Sequence, residues 1–146
     1  MSVHALDFGT TYAGQPAHIY RLRNAAGMEV DVSDIGASIV SVRVPDGEGG
    51  LVDVALGFDD PDRYEHNTHA MGGVVGRFAN RIAGASFELD GRTFELTANE
   101  GPNALHGGRD MWYERLWEGA IVGLKGDRRR GSSADTVIFG LLSPDG

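Results

Sequence analysis

The chain has 146 residues, 41% hydrophobic and 23% charged, with 22 glycines that follow no three-residue period. That describes one turn-rich globular core and excludes a disordered or collagen-like chain. A formal charge of -8 argues against a nucleic-acid partner, whose phosphates draw on clustered Lys and Arg. The absence of cysteine excludes disulfides, thiolate nucleophiles and iron–sulfur clusters.

The first residues, MSVHALDFGTTYAGQPAHIY, have neither a basic start nor a sustained apolar run. No later stretch approaches the 18 or so apolar residues that a spanning helix needs. The expectation is a cytoplasmic protein with no membrane partner. Apolar residues then recur at a spacing of two, the period of a half-buried strand. Met28, Val30 and Val32 are expected to face a core, with Glu29, Asp31 and Ser33 facing away. Val40, Val42 and Val44 continue the pattern as far as Pro45-Asp46-Gly47. Proline fixes its own backbone angle there and glycine tolerates the left-handed region, so a turn follows.

Residues 51–58, LVDVALGF, read as another strand, ending at the acidic DDPD of residues 59–62. Residues 59–64 are expected to form one short helical turn. In EHNTHA, His66 and His69 have a metal-like spacing. Glu65 is nonetheless at the wrong offset for a helical HExxH site and no further ligands cluster nearby. No metal is expected, and the polar segment reads better as the rim of a site, with His69 on it.

The densest hydrogen-bonding capacity lies in residues 76–108, GRFANRIAGASFELDGRTFELTANEGPNALHGG. GGVVGR at residues 72–77 lacks the GxGxxG spacing, and no GxxxxGK[ST] sequence occurs, so a phosphate cradle is not indicated. Asp90-Gly91 suits a type I′ hairpin turn, which places Phe87 opposite Phe94 and Glu88 opposite Thr93 as a cross-strand pair in the core. Around that hairpin stand Arg77, Asn80, Arg81, Asn103 and His106. His106, followed by two glycines, can donate and accept hydrogen bonds to an oxygen-rich ligand or serve a structural role. Arg77 and Arg81 offer rigid fans of donors, or ion pairs with the many acids. Asn80 can orient a ligand oxygen or cap a turn.

Trp112 and Trp117 can stack on the apolar face of a sugar ring. Trp117, in the strand-like LWEGAIVGL, reads as core, whereas Trp112 is open to a ligand and Asp110 beside it can accept a hydroxyl. Residues 120–124 and 136–142 are expected to pair across KGDRRRGSSAD, where Arg128, Arg129 and Arg130 read as a solvated turn rather than a polyanion contact. Short alternating strands without a sustained helical period predict an all-β fold, an antiparallel β-sandwich.

At the level of motifs the chain resembles the aldose 1-epimerase, or galactose mutarotase, family. The resemblance is carried by residues 76–108, extends through Trp117 and closes on SPDG at residues 143–146. It implies a galactose-mutarotase-like sandwich, with residues 1–146 forming the N-terminal portion of a single domain that is incomplete at its C-terminus. It further implies that Asn80 and Arg81 position a free aldose such as glucose or galactose, that His106 contacts and stabilises the reacting sugar, and that Arg77 is structural support. His69, Asp110 and Trp112 would form the pocket rim. The family commonly has Gly-Phe where this chain has Met111-Trp112, a change that reshapes the pocket edge.

The implied reaction interconverts the α and β anomers and needs no cofactor. A base takes the proton of the C1 hydroxyl, an acid protonates the ring oxygen, and the opened aldehyde closes on its other face. The family's histidine acid, sugar-binding aspartate and glutamate base lie downstream of SPDG, and His66, His69 and Glu100 do not match them. The chain alone is therefore expected to be weak or inactive, to be completed by a complementary C-terminal chain, or to act as a non-catalytic carbohydrate-binding module. An open sheet would also favour self-association.

Overall fold

Alternating sequence and short turns build five antiparallel strands that pair in chain order: β1 (Ser2–Thr10), β2 (Pro16–Arg23), β3 (Glu29–Ser33), β4 (Ile39–Pro45) and β5 (Leu51–Asp53). The computed structural model describes residues 1–123 and 135–144. Three two-stranded ribbons accompany the sheet. They join β6 (Arg81–Ile82) to β9 (Ala104–Leu105), β7 (Ser86–Leu89) to β8 (Arg92–Glu95), and β10 (Glu118–Val122) to β11 (Thr136–Gly140). The all-β antiparallel expectation therefore holds. Among the described residues no helix is long and apolar enough to cross a membrane.

The turn after β4 follows its sequence closely. Asp46 Oδ1 accepts the backbone N–H groups of Glu48 and Gly50 at 2.9 and 2.7 Å, an Asx arrangement that reverses the chain into β5. The short helix α1 (Asp62–Glu65) lies where one turn was expected. It carries Tyr64, which is fully buried with Ala17 and Ile35, and Phe8, Val40, Phe58 and Leu116 pack against this cluster. The Tyr64 hydroxyl accepts the Phe58 N–H at 3.0 Å, so the ring fills the core without an orphaned polar tip.

Two strand expectations need correction. Asp31 and Ser33 do not face away from the core: they are 3% and 0% exposed. Arginines of the neighbouring strands cover Asp31 and Glu29 on that face, and Ser33 Oγ accepts the Ile35 N–H at 3.0 Å. Arg21 donates to both Asp31 oxygens at 2.8 Å, and Arg43 Nη2 donates to Asp31 at 3.0 Å and to Glu29 at 2.9 Å. Alternation separates the two faces of a strand but does not say which face stays wet when long cations can lie over it. Residues 51–58 are likewise not one strand. The strand ends at Asp53, whose carboxylate accepts the Ser41 hydroxyl at 2.6 Å and the Ala55 N–H at 3.0 Å. Leu56 is left 83% exposed.

The β7–β8 hairpin has the expected register, Phe87 opposite Phe94 and Glu88 opposite Thr93. Asp90 and Gly91 both take positive φ, 52° and 72°, as a type I′ turn requires. The phenylalanines stack at 5.2 Å with rings 13° apart, and Phe78 meets Phe87 edge-on. Phe94 is still 42% exposed, so the pair forms a ridge at the edge of the core rather than its interior. The β10–β11 pairing is also as expected. The Tyr20 ring meets Phe139 edge-on at 5.2 Å, and its hydroxyl donates to the Gly119 carbonyl, which ties this ribbon to the sheet. The run Arg128, Arg129 and Arg130 lies outside the described residues.

Candidate functional site

The two-residue ribbon β6–β9 aligns Arg81 with Leu105 and Ile82 with Ala104. That register brings Asn80 and His106 face to face at its end. The contact is reciprocal: the His106 N–H donates to the Asn80 carbonyl at 3.1 Å, and the Asn80 N–H donates to His106 Nδ1 at 3.0 Å. A neutral imidazole that accepts on Nδ1 carries its proton on Nε2. Both residues hold positive φ, 64° and 53°, which asparagine and histidine tolerate better than most side chains. Asn80 Oδ1 accepts the Arg81 N–H at 2.9 Å. The turn-capping reading of Asn80 thus describes its oxygen.

Arg81 is gripped by Glu100. Its Nε donates to Glu100 Oε2 at 2.6 Å, and its Nη2 donates to the other carboxylate oxygen. The bond from Arg81 holds the Glu100 carboxyl below its ordinary pKa, and the same bond raises that of Arg81. The ion-pair reading of Arg81 is therefore present in the structure, through one edge of the guanidinium. Two N–H groups on Nη1 and one on Nη2 remain beyond those two bonds.

Asn99 organises the loop that carries His106. Its Oδ1 accepts the Leu105 N–H at 2.7 Å, while its Nδ2 donates to the carbonyls of Leu105 and Gly108 at 3.0 and 2.9 Å. Asn103 adds a second clamp, exchanging backbone bonds with Glu100 at 3.0 and 3.1 Å and accepting the Gly84 N–H on Oδ1 at 3.2 Å. Gly107, at φ 94°, backs onto the Gly76 carbonyl so closely that a Cβ would collide with it. The sequence reading passed over Asn99, and took Glu100 only as an acid that does not match the family's base. Their only signal was position: both lie just ahead of the Gly101-Pro102 turn, where a polar side chain can reach back to the loop.

Beyond Gly107 lies a cleft of about 330 Å³ lined in part by Arg77, Thr97, Arg109, Asp110, Trp112 and Arg115. The Trp112 ring lies where a Cβ on Gly76 would stand and meets Trp117 edge-on at 6.0 Å. Trp117 is half-buried, and its indole N–H donates to the Trp112 carbonyl at 2.9 Å. Arg77 donates to Ser143 Oγ at 2.9 Å and to the Pro144 carbonyl, joining Ser143 and Pro144 to the segment that carries Arg77. Asp110 is largely exposed, with Arg115 at 3.7 Å.

His69 is not brought to this cleft. It is exposed, with its Nδ1 at 2.9 Å from Thr68 Oγ1. His66 sits by α1, where the Asp62 carbonyl and then its carboxylate raise its pKa. Among the described residues no group of three or more His, Cys, Asp or Glu is arranged to hold a metal ion.

A family model described as aldose 1-epimerase matches residues 18–146. The chain belongs to the aldose 1-epimerase family. It is 38% identical over 133 residues to the aldose 1-epimerase of Escherichia coli strain K12, an alignment covering 91% of this chain and 36% of that protein. It is also 38% identical over 119 residues to the galactose mutarotase of Bos taurus, covering 82% and 32%. The crystal structure of a GalM/aldose epimerase homologue from C. elegans superposes with a TM-score of 0.66 at 34% identity, over 71% of this chain and 32% of that one. The galactose 1-epimerase of Lactobacillus acidophilus shares the fold, with a TM-score of 0.69 at 24% identity over 82% and 34%. This aldose 1-epimerase family member thus spans about a third of the length of the curated relatives it matches.

Proposed function

We propose that this chain provides the sugar-positioning part of an aldose 1-epimerase that interconverts the anomers of a free hexose such as glucose or galactose. The observation that carries the reading is the reciprocal Asn80–His106 contact beside Arg81. It sets the neutral His106 ring with its Nε2–H as a donor, and the neighbouring residue Arg81 has its fork fixed by Glu100. These are uncharged or charge-compensated donors suited to hydroxyl and ring oxygens. Arg77 supports the loop from behind, and Trp112 with Asp110 forms the rim. The family match and the 38% identical relatives named aldose 1-epimerase and galactose mutarotase support the reaction class.

Anomer exchange needs an acid and a base acting on one small ligand in a fixed geometry. In this cluster the only carboxylate against Arg81 among the described residues is Glu100, which Arg81 holds ionised and occupied. His106 Nδ1 is already committed to Asn80. The 146 residues by themselves therefore bind sugar and accelerate exchange weakly or not at all. The occupied Glu100 also supports a second reading, a carbohydrate-binding module, which differs only in having no catalytic partner.

The test is polarimetry and proton magnetic resonance on freshly dissolved α-D-glucose and α-D-galactose with the purified chain. Saturable shifts of Arg81 and His106 resonances with exchange near the buffer rate are expected. His106→Gln and Arg81→Gln are each expected to weaken binding by about ten-fold, the loss of one or two good hydrogen bonds. Full acceleration abolished by those substitutions would show the chain competent alone. No saturable response to either sugar would overturn the sugar-binding reading.

A further inference from the structure

We infer that Glu100 is a positioning residue that cancels the charge of Arg81 and so tunes this cluster toward uncharged sugars and away from phosphorylated ones. The inference rests on the sugar-binding reading above and names its substrate class. A side-on bidentate grip, Nε to one oxygen and Nη2 to the other, consumes one edge of the guanidinium and leaves the opposite edge pointing outward. Glu100 is itself set by its backbone. It exchanges hydrogen bonds with Asn103, and Asn103 leads directly into β9, the strand paired with β6 and Arg81. The carboxylate and the arginine are thus placed by the same short ribbon, and the grip follows from that register.

The electrostatic consequence differs for two kinds of ligand. For a neutral hexose, donors matter and net charge does not, so an ion-paired Arg81 still binds hydroxyls through its free edge. For a hexose phosphate, the attraction of a bare guanidinium is offset by a carboxylate within hydrogen-bond distance of it. The other charged groups nearby, Arg77, Arg109 and Arg115 against Glu95 and Asp110, line the adjoining cleft. They leave only a small positive balance there. Glu100 is therefore the group that decides whether Arg81 acts as a donor or as a free cation.

The experiment titrates the full chain with D-glucose and D-glucose 6-phosphate, following arginine Nε–H resonances, for the unchanged protein, Glu100→Gln and Glu100→Asp. In Glu100→Gln the Arg81 Nε–H resonance is expected to move. The affinity ratio of glucose 6-phosphate to glucose is expected to rise about five-fold, the upper range for an exposed charge pair. Glu100→Asp, which keeps the charge, should stay much nearer the unchanged ratio. An unmoved Nε–H resonance in Glu100→Gln, or a moved resonance with an unchanged ratio, overturns the inference. So does a ratio that shifts equally in both variants. If the unchanged protein responds to neither sugar while the Nε–H resonance still moves in Glu100→Gln, the pair is real and the sugar-binding reading fails, taking the inference with it.

Discussion

In the five-stranded sheet an ionic row crosses four strands: Asp31 lies between Arg21 and Arg43, Glu29 pairs with Arg43, and Asp53 at the exposed edge accepts from Ser41. In residues 76–108 the corresponding work is done by neutral amides, with Asn99 and Asn103 bonding backbone groups that no strand satisfies. The difference follows from backbone geometry. A regular ladder pairs its own N–H and C=O groups, so its side chains are free to pair with one another. A loop of left-handed turns leaves backbone groups unpaired, and only a side chain with both donors and acceptors can close them. The sheet should accordingly answer to pH and to charge, and the loop to shape and to amide chemistry.

Asp31→Ala gives the largest separation between the two regions. It leaves two arginines facing a void, a change that costs 3 to 5 kcal/mol for fully buried pairs. Arg21 and Arg43 are 37% and 22% exposed, so water recovers part of this and about 2–3 kcal/mol is expected in urea unfolding. The pH dependence has a definite sign. Burial pushes the Asp31 carboxyl up, but the bonds from Arg21 and Arg43 outweigh it and hold the group below its ordinary 3.8. A lowered folded pKa contributes stability that is complete above the unfolded value and is lost as pH falls through the folded one. Asp31→Asn should flatten that acid limb while leaving sugar binding by residues 76–108 unchanged.

Gly107→Ala attacks the loop instead. The new methyl meets the Gly76 carbonyl at a backbone angle of 94° that L-residues rarely adopt. A loss of about 2 kcal/mol is expected, without any change in the acid limb. Asn99→Ala follows, at about 1.5 kcal/mol for three lost bonds in a half-buried site. Asn99→Asp should be no better than alanine, because a carboxylate keeps the acceptor for the Leu105 N–H but sets negative charge against the Leu105 and Gly108 carbonyls. If Asn99→Asp behaves like the unchanged protein, the amide clasp is not what holds the loop.

The same contrast explains what could be read from the chain. Strand period and turn chemistry were legible: Val40, Val42 and Val44 run into the Asp46 turn, and Asp90-Gly91 sets the register of its hairpin. These depend on residues within a few positions of one another. The solvent side of β3 was not legible, because it is decided by Arg21 and Arg43, ten and twelve residues from Asp31. The partner of Arg81 lay nineteen residues away, and one acid among 21 carries no mark in sequence. Asn80, Arg81 and His106 were visible as a group only through their motif. The bond that joins Asn80 to His106 depends on a two-residue ribbon too short to leave a periodic signal.

Gly91→Ala offers the smallest effect and the finest test of that distinction. Gly91 has a φ of 72° with open space where a Cβ would stand, so the methyl meets nothing and only the left-handed backbone is penalised. That costs about 1 kcal/mol. Gly91→Asn should recover most of it, since asparagine tolerates this conformation. The Phe87–Phe94 stack and its register should survive both changes, readable from the ring resonances. Gly107 and Gly91 share a positive φ but differ in what surrounds them. If Gly91→Ala costs as much as Gly107→Ala, backbone conformation rather than the Gly76 contact governs both, and the loop is held by its turns more than by its packing.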